Sequence, residues 1–150
     1  MSANDKQIGG AHYAQAGAWQ HWDFVTDARL GYLAGNATKY LARHRRKHGA
    51  QDLAKAAHYI EKMIEQVQAG ALVADIGRRP STLDLSDALY KLVQVYNLSD
   101  AESMACRLLC TWYDAADLRH ALAIVLRLAN SMPTADDGAG PTGRGYVAQD

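Results

Sequence analysis

Between Asn36 and Tyr59 the chain sets out seven side chains suited to holding an anion: Asn36, Lys39, Tyr40 and Arg43, followed by Asp52, Lys55 and Tyr59. Within each group the spacings are three and four, so on a helix each group shares one side. Lys39, Arg43 and Lys55 can neutralise phosphate. Asp52 can hold a magnesium ion, and the amide and phenols can hydrogen-bond or stack. Upstream, Gly9, Gly10, His12 and Tyr13 place flexible backbone beside two side chains able to hydrogen-bond the rest of a ligand. The chemistry implied is capture of a phosphorylated small molecule, with Asp23 a second candidate for magnesium.

These groups need two helices to bring them together. Tyr32, Leu33, Ala37, Tyr40, Leu41 and His44 recur at helical spacing, as do Leu53, Ala57, Ile60, Ile64 and Val67. The linker at His48, Gly49 and Ala50 is too short for anything but an antiparallel return, and Gly49 supplies the backbone freedom to make it. A helical hairpin over Leu33–Val67 follows, with Lys39 and Arg43 on one arm approaching Asp52, Lys55 and Tyr59 on the other.

The rest of the chain reads as all-α. Residues 1 to about 20 lack a sustained period and read as an arm or loop. A short helix from about Gln20 to Ala28 turns Trp22 and Val25 inward. After the hairpin, Gly70, Gly77 and Pro80 mark residues 71–80 as a linker, which divides a 1–70 hairpin domain from an 81–130 helical segment. Ser81 with Asp84, and Ser99 with Glu102, carry N-terminal capping patterns. They open helices over about Leu83–Tyr96 and Ser99–Tyr113, and a third runs from near Asp114 to about Asn130. The Pro- and Gly-rich stretch 131–150 reads as a disordered tail.

The formal charge is zero but unevenly placed. Residues 1–79 hold 11 Lys or Arg against 7 Asp or Glu (+4), and residues 80–150 hold 5 against 9 (−4). A duplex-DNA-binding domain is expected to be more basic. Cys106 and Cys110, four apart on one helix, are poorly placed for a disulfide and read as reduced core thiols. No apolar run approaches the ~20 residues of a spanning helix. A cytoplasmic protein with no membrane partner is expected.

Several chemistries are disfavoured. The run Arg43–His48 reads equally as the solvated end of a helix and as a phosphate clamp, in which Lys39, Arg43 and either Arg46 or Lys47 share a face. His44 and His48 have zinc spacing, but the adjacent cations repel a dication and no third ligand is near. Gly9 and Gly10 are not followed by the Gly-Lys-Ser/Thr ending of a Walker A loop, and no serine sits in a nucleophile elbow. Asp23, Asp27 and Asp52 each read also as a helix cap or surface ion pair.

Four stretches in order, IGGAHY (8–13), WDF (22–24), GNATKYLARHRRKHG (35–49) and DLAKAAHYIEKMI (52–64), resemble the SaV-like family of small bacteriophage proteins. The resemblance spans roughly residues 7–67 and ends before the acidic C-terminal helices. Long catalogued as a domain of unknown function, that family includes a phage nucleotide kinase without a P-loop. The resemblance implies a phage origin, a role in deoxynucleotide metabolism in the host cytoplasm, and recurrent residues at His12, Tyr13, Asn36, Lys39, Tyr40, Arg43, Asp52, Lys55 and Tyr59. The resulting expectation is a nucleotide-binding protein of nucleoside monophosphate kinase type, with Lys39, Arg43, Asp52 and Lys55 in the chemistry. The alternative is a non-catalytic accessory, possible as a homo-oligomer, that binds a host protein, a nucleotide signal or single-stranded nucleic acid.

Overall fold

The computed structural model describes residues 2–6 and 18–133. It is all-helical, with no strand among the described residues. Six α-helices follow in order: α1 (His21–Asp27), α2 (Tyr32–Arg43), α3 (Ala50–Gln68), α4 (Thr82–Tyr96), α5 (Asp100–Thr111) and α6 (Ala115–Asn130). Single 3-10 turns cover Ala3–Asp5, His44–Arg46 and Ile76–Arg78.

The hairpin of α2 and α3 forms as its apolar spacing predicts. Leu41, Leu53, Ala57 and Ile60 of the two apolar lines are buried, Ile64 and Val67 are half-buried, Met63 adds a buried side chain beside the line, and Gly49 makes the bend with φ +50. A β-carbon at Gly49 would be strained by that dihedral and would sit 3.2 Å from Cε of Met132, so the end of α6 reaches the bend. Helix α3 lies between α2 and α6, α5 packs on α6 and α2, and α4 packs on α1. One apolar cluster therefore joins Phe24, Leu41 and Ile60 to Leu92, Leu109, Leu118 and Val125. Hairpin and C-terminal helices share a core.

Helices α4 and α5 begin where their capping patterns predict, and α6 begins near Asp114 as expected. Ser81 Oγ accepts from the Asp84 amide, Ser99 and Glu102 form a reciprocal capping box, and Asp114 accepts from the Ala116 and Asp117 amides. Helix α4 ends at Asn97, in the left-handed conformation (φ 52). Leu85, Leu89, Leu92 and Tyr96 face inward as their spacing requires.

Two expectations are corrected near the start of the chain. Trp22 does not face inward: it is 49% exposed, and Phe24 and His21 are the buried side chains of α1. The reason is Asn4, whose Oδ1 accepts from the Trp22 indole at 2.6 Å and whose Nδ2 donates to Asp23 Oδ2 and the Ala18 carbonyl. Residues 2–6 are correspondingly not a plain arm but a capped 3-10 turn docked on α1. His21 Nε2 lies 2.9 Å from Thr38 Oγ1, whose single hydrogen is directed at the Ala34 and Gly35 carbonyls, so the imidazole is the donor. Burial, with Lys39 nearby, pulls the His21 pKa down to about 4.

Candidate functional site

Helices α2 and α3 bring the polar groups of both arms onto one flank. Tyr40 on α2 and Tyr59 on α3 stack with centroids 5.8 Å apart and planes 14° from parallel. Tyr32 meets Tyr59 edge-on at 6.1 Å. Contacts of this kind contribute about 0.5–1.5 kcal/mol each beyond area burial, enough to hold a partly exposed row in register. A hydrogen bond with Tyr32, followed by desolvation, raises the pKa of the Tyr59 phenol above its ordinary value.

Three cations surround the Tyr40 ring: Arg43 Cζ at 4.6 Å from its centroid, Lys55 Nζ at 5.2 Å and Lys39 Nζ at 5.8 Å. Arg43 is fixed there by Asp52. Its Nε and Nη2 donate to the two carboxylate oxygens at 3.1 Å each, and Asp52 also accepts from the His48 amide at 3.4 Å. With Asp52 fully buried in the first turn of α3, this bidentate pair ties the arms together just inside the bend. Lys39 and Lys55, both half-buried, form no ion pair among the described residues and lie beside the Tyr40 ring. Asn36 shares the flank and donates back to the Tyr32 carbonyl at 2.8 Å.

Of the residues expected at a site, Asn36, Lys39, Tyr40, Arg43, Asp52, Lys55 and Tyr59 therefore lie on this one flank, whereas His12 and Tyr13 lie outside the described residues. Asp23 is engaged elsewhere: its Oδ2 accepts from the Gln20 amide at 2.7 Å and from Asn4, capping α1. Asp52 commits both oxygens to Arg43. Among the described residues no group of three or more His, Cys, Asp or Glu gathers in a way that could hold a metal ion. Tyr32, which the apolar period assigns to the packing stripe, belongs to the site instead. It is 74% exposed, and its spacing of four, seven and eight to Asn36, Lys39 and Tyr40 carried the signal.

The basic run is divided between two tasks. Only Arg43 faces the tyrosines. His44 is buried and donates through Nε2 to Glu102 Oε1 at 2.8 Å, leaving Nδ1 without a hydrogen-bond partner among the described residues. Arg45 donates to Glu102 Oε2 at 2.7 Å and to the Asn97 carbonyl. Arg46 donates to the Val95 carbonyl at 3.0 Å and covers the Tyr96 ring. Of the two expected clamps, the one that uses Arg46 beside Lys39 and Arg43 does not form, because α2 ends at Arg43 and Arg46 is directed at the Val95 carbonyl and the Tyr96 ring of α4. For Glu102, burial acts to raise the pKa, but the His44 hydrogen bond, the Ser99 amide and Arg45 outweigh it and hold the carboxyl below its ordinary range. His44 and His48 do not converge on a common point: the first is buried against Glu102 and the second is exposed.

No helix among the described residues is long and apolar enough to cross a membrane. Neither curated proteins nor solved structures gave a match to the chain. A family model described as a protein of unknown function, DUF3310, matches residues 9–61, a span that holds the whole tyrosine and cation cluster and stops before the C-terminal helices.

Proposed function

We propose that the flank of α2 and α3 binds a nucleotide, with the base against the tyrosine row and the phosphates at Lys39, Lys55 and Arg43. The observation that carries this reading is the convergence of three cations on the ring of Tyr40, two of them without a carboxylate partner among the described residues. Aromatic rings accept a base face at about 1–3 kcal/mol per stack, and the ammonium groups supply charge-assisted contacts to phosphate. The motif resemblance to a phage family with a P-loop-less nucleotide kinase supports a finer version: a phage protein that transfers phosphate to a deoxynucleoside monophosphate in the host cytoplasm. In that version Asp52 positions Arg43, and magnesium arrives on the nucleotide's own phosphates.

Thermal shift with deoxynucleoside mono- and triphosphates, with and without magnesium, tests binding. Incubation with labelled ATP and each monophosphate then tests transfer. Binding that weakens about tenfold in Lys39→Ala and in Lys55→Ala supports the site. Binding without turnover leaves a nucleotide-sequestering accessory, and no binding at all removes the reading.

A second reading is single-stranded nucleic acid. The row of Tyr32, Tyr59 and Tyr40 extends over three rings with cations at one end, as a stacking platform requires. Oligonucleotide affinity that falls steeply with salt favours it over a mononucleotide site.

A further inference from the structure

At the start of α2, away from the bend, a cavity of about 250 Å³ opens between the α1–α2 turn, the 72–79 connection and the end of α5. Its apolar lining includes Leu30, Met63, Leu109 and Trp112. Its charged lining is Arg29, Arg78 and Arg79 against one carboxylate, Asp75. The connection that reads from sequence as a mere linker thus forms a cationic wall over an apolar floor. Two large apolar side chains at this cavity, Tyr32 and Val73, are each 74% exposed, an arrangement that leaves greasy surface in water unless something covers it.

The three arginines differ in how far they are committed. Arg79 donates to the Thr111 and Trp112 carbonyls, closing the end of α5, and is a fixed wall. Arg29 donates through Nη1 to the Arg78 carbonyl at 3.1 Å, so the two walls are joined across the mouth. The Arg78 side chain forms no ion pair with Asp75, whose Oδ1 is taken by the Arg78 backbone amide at 3.2 Å. Arg29 also holds φ 53, a conformation that glycine would adopt without strain. A long cationic side chain stands at a position whose backbone disfavours it.

We propose that this cavity binds a small amphipathic anion: one ring-sized apolar body carrying a phosphate or carboxylate. An apolar cavity of ~150 Å³ is enough to hold benzene, so the volume here admits one ring with a substituent. The ring is placed against Met63, Leu109 and Trp112, and the anionic group at Arg78 and Arg29, whose planar forks suit both acid groups. The site is distinct from the tyrosine and cation cluster and does not rest on the nucleotide reading, although Tyr32 borders both.

Phenyl phosphate, benzoate, inorganic phosphate and benzyl alcohol, titrated separately into the full chain with heteronuclear NMR as readout, test the assignment. The expected result is saturable binding of phenyl phosphate or benzoate with shifts at Leu109, Cys110 and Trp112. Inorganic phosphate and benzyl alcohol each bind at least tenfold more weakly, since neither carries both halves. Arg78→Ala lowers the affinity of the aryl anion about tenfold or more, and the charge-matched control Lys62→Ala leaves it unchanged. Arg29→Gly relaxes the backbone and keeps the fold, so weaker binding in that variant separates loss of the guanidinium from loss of structure. Absence of saturable binding by either aryl anion, binding equally strong for inorganic phosphate alone, or affinity unmoved by both arginine substitutions overturns the proposal.

Discussion

The two ends of the stretch 39–47 put similar charges to opposite use. At its start, Lys39 and Arg43 stand over an aromatic ring on the flank of the hairpin, joined by Lys55 from the other arm. At its end, His44, Arg45 and Arg46 are turned inward and across, onto Glu102 and the last carbonyls of α4. A run of cations is therefore a poor measure of the charge a ligand meets. What decides is whether a carboxylate or a helix C-terminus lies within reach.

The sharpest way to break the comparison is Glu102→Ala. That change leaves His44 buried and Arg45 half-committed, removes the capping box of α5, and should cost about 3–5 kcal/mol in chemical denaturation. A loss under about 1 kcal/mol would show that His44 and Arg45 are not held as described. Next in size is pH. The folded His21 pKa of about 4 lies below the ordinary 6.5, so the unfolded chain takes up the proton first as pH falls. Stability should decline by about 3 kcal/mol from pH 6.5 down to about 4, and His21→Gln should flatten that slope. The depressed Glu102 carboxyl acts in a lower window, its contribution disappearing as pH falls below the ordinary carboxylate value and through the folded one.

Asp52→Ala should cost less, about 2 kcal/mol, because Arg43 keeps 14% of its side chain in water and can recover hydration there. It should also loosen the guanidinium over Tyr40, so nucleotide affinity should fall together with stability. Smallest on stability are Lys39→Ala and Lys55→Ala, each within about 0.5 kcal/mol of the parent. These two variants sharpen the contrast. If the outward cations serve a ligand, affinity changes while denaturation midpoints stay put.

Local patterns made much of this legible from sequence. The hairpin followed from two apolar periods and one glycine. The starts of α4 and α5 followed from Ser81 and Ser99, whose caps act within three residues. Arg43 with Asp52 was foreseeable because a tight bend sets that register. The partners of Arg45 and Arg46 were not, since Asn97, Glu102 and Val95 lie about fifty residues away and two of the three contacts are to backbone carbonyls, which no residue type announces. Trp22 departs from the inward position its spacing suggests because Asn4 offers its N–H a partner at the surface. The cavity was invisible for a similar reason: three separate chain segments, each unremarkable alone, wall it.

Because α3 lies between α2 and α6, the segment matched by the family model is not a free-standing unit in this chain. Cut after Gln68, the chain would turn the α6-facing side of α3 to water and leave His44 and Arg45 without their carboxylate. Such a fragment should be sticky, and its behaviour in isolation would report on a lost neighbour instead of on the tyrosine flank.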